Sequence, residues 1–136
     1  MRVLFALVLL FGGAGCGSPE GPRDASLGSP FDVAMGETVA VAGEDLHVTF
    51  ESVTEDSRCP EGAQCVWEGD AVARVTLVKS PEKSVTVDLH TNGRFDREAE
   101  YHGYVVGLVD IAPHPRTDKP RDPKAYVATL RVDHSS

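Results

Sequence analysis

No apolar run in this chain is longer than the nine residues 3–11 (VLFALVLLF), far short of the roughly 20 that a membrane-spanning helix needs. Positive charge is scarce as well. Thirteen lysines and arginines stand against 21 acidic side chains, a net charge of −8, and such a chain repels nucleic acid and anionic lipid headgroups. The signals of several chemistries are missing: a Gly-x-Ser-x-Gly elbow, a His-Glu-x-x-His pair, a Gly-rich loop opening a helix, and the Asp-x-Asp-x-Asp-Gly spacing of a calcium loop. Asp133, His134 and Ser135 spell a triad in letters, yet triad members converge from a rigid scaffold and do not run consecutively through a tail. No catalytic residue, cofactor or metal site is therefore expected, although 21 acids leave paired-carboxylate chemistry open. No segment carries a helical repeat with caps.

What is present begins with the N-terminus. Arg2 precedes the nine apolar residues, and small residues follow, the layout of a signal peptide over 1–15. Gly13, Ala14 and Gly15 before Cys16 resemble the lipobox of bacterial lipoproteins, with Gly13 where that class usually has an aliphatic residue. The resemblance implies cleavage before Cys16 and acyl chains, palmitate among them, on its thiol. Two or more chains hold a protein stably at a membrane surface. The expected location is the bacterial cell envelope, lipid-anchored on the extracytoplasmic side. Loss of Arg2 with the leader leaves 12 basic against 21 acidic side chains, so the lipid rather than a basic patch would supply the anchor.

The compartment decides how the remaining two cysteines are read. In an oxidising space Cys59 and Cys65 form an even remainder, which favours a structural disulfide. Five residues lie between them, whereas zinc hairpins use two to four and need a second ligand pair, and thioredoxin-like redox sites use two. Metal binding and redox chemistry are the lesser alternatives. A loop this short contributes roughly 2 to 2.5 kcal/mol through the entropy it removes from the unfolded chain.

Residues 16–30 comprise Cys16 and a tether in which nine of the fourteen residues 17–30 are Gly, Ser or Pro, a composition too poor in apolar side chains to fold. The domain is expected over 31–133, with a tail at 134–136. Its periodicity is two. Leu46, Val48 and Phe50 alternate with His47, Thr49 and Glu51, and Val85, Val87 and Leu89 with Thr86, Asp88 and His90. The runs 71–79 (AVARVTLVK), 104–111 (YVVGLVDI) and 125–132 (AYVATLRV) are β-rich, and 37–41 makes a shorter strand. Pro81 within 80–83 marks one turn, and Asn92 with Gly93 marks a hairpin. The segment 113–123 (PHPRTDKPRDP) has too few backbone donors for a strand and reads as a long surface crossing. Six to eight strands joined this way predict an all-β antiparallel sandwich, with a small β-barrel as the alternative.

Trp67 follows the cysteine pair and is expected to pack beside it, closing one end of the sandwich; the competing expectation is an exposed contact residue. Arg58, Glu61, Gln64, Trp67 and Glu68 form the candidate recognition loop, since loops on a rigid scaffold commonly carry function. Its acidic neighbours are expected to be solvated or locally paired. His47 and His90 read as outward on polar strand faces, His114 as part of the proline segment and His134 as part of a frayed tail. His102 has no evident place. Their spacing forces no convergence on a metal.

The string Asp-Ser-Arg-Cys-Pro, four residues, then Cys-Val-Trp-x-Gly-x-Ala (56–71), with a later Tyr-x-Ala-x-Leu-x-Val (126–132), resembles a motif of small bacterial secreted proteins and lipoproteins of unknown function. The resemblance implies a recurring all-β module braced by a disulfide and carries no activity with it. The expected function is a non-enzymatic, lipid-anchored binding or envelope-accessory module whose protein or small-molecule ligand is unknown. A protease inhibitor presenting the Cys59 to Cys65 loop and a metal-binding envelope protein are the alternatives.

Overall fold

Alternation of apolar and polar residues is what builds the two sheets. The computed structural model describes residues 24–136 and, upstream of them, Gly13 alone. The leader 1–15, Cys16 and the first part of the tether otherwise lie outside the described residues. Nine strands follow one another: β1 (Asp24–Ala25), β2 (Phe31–Ala34), β3 (Thr38–Val41), β4 (Leu46–Asp56), β5 (Ala71–Lys79), β6 (Val85–His90), β7 (Glu98–Tyr101), β8 (Tyr104–Ala112) and β9 (Val127–His134). They form a five-stranded sheet, β1-β3-β4-β5-β6, and a four-stranded sheet, β2-β9-β8-β7. All neighbours are antiparallel except β1 and β3. The described residues contain no helix, and neither sheet closes on itself, so the architecture is a sandwich and not a barrel.

The inward faces fill the space between the sheets. Leu46, Val48 and Phe50 of β4, Leu77 of β5, Ile111 of β8 and Leu130 of β9 are all fully buried. Each such side chain contributes about 1.5 to 3 kcal/mol relative to remaining exposed. In β8 strict alternation would carry Tyr104, Val106 and Leu108 inward and then Asp110 too. The register instead shifts between Leu108 and Asp110, leaving Val109 as the extra residue of a bulge. Asp110 is thereby turned outward, Ile111 is buried, and Val109 is left 46% exposed.

Several expectations are corrected. Asn92 and Gly93 do not join a hairpin, because β6 and β7 belong to different sheets and the Asn92 side chain is buried, donating to the Gly69 carbonyl at 2.9 Å. The two-residue hairpin is at His102 and Gly103, between paired Tyr101 and Tyr104, and both turn residues have positive φ, 42° and 88°. That is the backbone of a type I′ turn, and histidine is among the residues that tolerate it. The fold also reaches past both expected boundaries. Ala25, within the tether segment, is buried against the core, and Gly28 N–H donates to Val132 O at 2.8 Å. At the other end His134 lies in β9, its ring stacked on Tyr104 and 3.5 Å from Glu44, and Ser135 N–H donates to Gly103 O.

Candidate functional site

Residues 57–70 are the long loop of the β4 and β5 hairpin, and backbone bonds keep its neck closed. Ser57 N–H donates to Asp70 O at 2.7 Å, and Cys59 N–H to Glu68 O at 3.0 Å. Cys59 and Cys65 form a disulfide with their Cα atoms 5.9 Å apart, so the cysteine pair is a staple across the loop. The proline segment forms a second brace. Glu61 N–H donates to Pro115 O, Thr117 N–H donates to Glu61 O, and the Arg116 guanidinium lies 3.7 Å from the Glu61 carboxylate.

Arg58 departs from its expected role. Its residue is 7% exposed, and its guanidinium forks onto both oxygens of Asp56 at 2.9 and 3.0 Å while donating to Ile111 O and Pro113 O. A side chain satisfied in this way ties the hairpin loop to the end of β8 and presents nothing to a partner. The phenol of Tyr126 donates to the same Asp56 carboxylate at 2.8 Å. Burial works against charge on Asp56, but hydrogen bonds from Arg58 and Tyr126, with the Arg58 charge, outweigh it and hold the carboxyl below its ordinary value. Burial first, then the bond to Asp56, pushes the Tyr126 phenol above its ordinary value.

His90 is also not simply outward. Its Nδ1 lies 2.5 Å from Asp70, a buried carboxylate that also accepts the Asn92 N–H at 3.0 Å, and Phe95 packs on the imidazole at 5.1 Å. The other ring nitrogen makes no hydrogen bond among the described residues, and the Thr91 hydroxyl donates to the second oxygen of Asp70 at 3.4 Å, so the cluster joins the loop neck to the end of β6. Among the described residues no three His, Cys, Asp or Glu side chains group as metal ligands.

The remaining loop residues face solvent. Glu61, Gln64 and Glu68 are exposed, Val66 is fully exposed, and Trp67 is 46% exposed. The expected burial of Trp67 is thus corrected: the neck closes through backbone bonds, which leaves the indole outside the core. Val66, Trp67, Phe95 and Val109 are the exposed large apolar side chains among the described residues. Val109 is the wall shared by two open hollows. One, of about 340 Å³, runs from Cys59, Glu68 and Gly69 past Thr91 to Val109; the other, of about 550 Å³, runs from Val109 to Phe95. Sequence reasoning missed Val109 and Phe95, read Asp70 only as one of the solvated or locally paired acids, and met Tyr126 only as the first residue of the Tyr-x-Ala-x-Leu-x-Val motif. For Val109 a signal existed, since unbroken alternation would have buried Asp110.

The comparisons with known proteins find no family model, no curated protein and no solved structure that matches this chain.

Proposed function

We propose that this protein is a non-enzymatic binding module of the bacterial envelope, anchored by lipid on Cys16 and engaging a protein partner through the face around Val109. One observation carries the reading. The hollows that meet at Val109 reach Cys59, Glu68 and Gly69 of the loop that carries the exposed Trp67 on one side, and the exposed Phe95 on the other. Exposed apolar patches mark interaction sites, and tryptophan is enriched among residues that dominate binding energy. Glu61 and Glu68 beside the tip suit a partner with basic residues at its rim. The disulfide supports an oxidising compartment, and the Cys59–Cys65 motif supports membership of the small secreted proteins it resembles.

Photo-crosslinking in cells tests the face. Benzoylphenylalanine at position 67 or 109 should give the same discrete adduct, and at Thr86, exposed on the outer side of β6, none. No adduct at 67 and 109, or an equal one at 86, overturns the assignment. The exposed, doubly braced 61–68 loop favours a second reading as a protease inhibitor, whose adduct would be a protease that the purified protein inhibits.

The anchor has its own test. Labelled palmitate should enter the parent chain and not Cys16→Ser, which should leave the membrane fraction while keeping the same melting temperature. Equal labelling of the two would sink the lipid assignment.

A further inference from the structure

Arg116, Lys119 and Arg121 gather three positive charges of an acidic chain around one hollow. The hollow, of about 190 Å³, is walled by Pro113, Pro115, Pro120 and Tyr126, and none of the four exposed apolar residues of the partner face lines it. Its acids do not pair with Lys119 or Arg121: Asp56 is taken by Arg58 and Tyr126, and Asp122 accepts the backbone N–H of Lys124 and makes no ion pair among the described residues. Arg116 is occupied by Asp118 and Glu61.

Two cations are left over. Lys119 makes no hydrogen bond or ion pair among the described residues, and Arg121 uses Nη1 alone, on the Asp56 carbonyl, which aims the guanidinium while leaving its other donors free. The walls between these charges are proline rings and a tyrosine whose hydroxyl is fixed by Asp56. We infer that this hollow binds a small organic carboxylate with an apolar body, its carboxylate on Lys119 and Arg121 and its body against the prolines and Tyr126. Size limits the ligand. The volume is below the roughly 300 Å³ at which drug-sized pockets begin, which suits an acid with a single ring. Charge selects it, because a carboxylate matches the arginine fork and a neutral analogue leaves both cations unanswered. The inference is independent of the partner face and can fail or succeed without it.

Titration of the labelled full-length protein with benzoate and 3-phenylpropionate, at constant ionic strength in chloride, tests it by amide and tyrosine NMR shifts. Saturable shifts are expected at Lys119, Arg121 and Tyr126, with benzyl alcohol binding about tenfold or more weakly. Lys119→Gln, which removes no internal contact, should leave the rest of the spectrum unchanged and weaken the acids several-fold. Absence of saturable shifts up to about 20 mM acid, shifts centred elsewhere, equal binding of the alcohol, or unchanged affinity in Lys119→Gln would each overturn the assignment.

Discussion

Gly69→Ala is expected to remove about 3 to 5 kcal/mol of stability, a large part of the 5 to 15 kcal/mol margin of a typical domain. A Cβ at position 69 would sit 1.9 Å from the Ser57 carbonyl oxygen, 2.6 Å from its carbon and 2.8 Å from Arg58 Cα. None of these atoms belongs to a side chain that can rotate away. The bonds from Ser57 N–H to Asp70 and from Cys59 N–H to Glu68 hold both sides of the neck, so relief means breaking them, at about 1 kcal/mol each. The φ of +73° adds about 1 to 2 kcal/mol for any residue with a Cβ. Gly36→Ala separates the two causes, because Gly36 has φ +85° and open space around it. Thermal melts should lower Tm by roughly 12 °C or more for Gly69→Ala and by less than half as much for Gly36→Ala. Equal losses would mean that backbone conformation alone, and not the closed neck, sets the cost.

The same neck shows where sequence reading works and where it stops. The 71–79 run was legible because β5 lies between β4 and β6 and packs one face into the core, so its inward positions had to be apolar. The cysteine pair was legible because compartment and spacing leave few uses for two thiols. Trp67 was misread because a large aromatic beside a staple can close a core or stand outside it, and the choice rests on backbone bonds between residues thirteen and nine apart, Ser57 to Asp70 and Cys59 to Glu68. Asn92 was misread for a related reason: its side chain is taken up by the Gly69 carbonyl, a tertiary contact that overrides local turn preference. Arg58 and Asp56 look like any charged pair near a loop. Only the arrival of Ile111, Pro113 and Tyr126 from the other sheet and its crossing makes them interior.

That interior pair gives the second large effect. Asp56→Asn should cost about 3 to 5 kcal/mol at neutral pH, since it strands a buried guanidinium whose side chain is 8% exposed. The amide matches the carboxylate in shape and can still accept the Tyr126 hydroxyl, so the loss reports the charge and the arginine fork. The pH dependence has a definite sign. Asp56 is held below its ordinary value in the folded state, so its contribution is complete above the unfolded value near 4 and fades as pH falls through the lower folded value. Denaturant unfolding of parent and variant should therefore converge on acidification below about pH 4 and differ most above about pH 5. The exposed pair Arg74 and Asp88, 47% and 42% exposed, is the comparison: Asp88→Asn should change stability by less than about 1 kcal/mol. A gap between Asp56→Asn and the parent that is equal at pH 3 and pH 7 would show that shape, and not charge, is what Asp56 contributes. Convergence would establish that one ion pair, closed by a tyrosine, joins the hairpin loop of the first sheet to the end of β8 in the second.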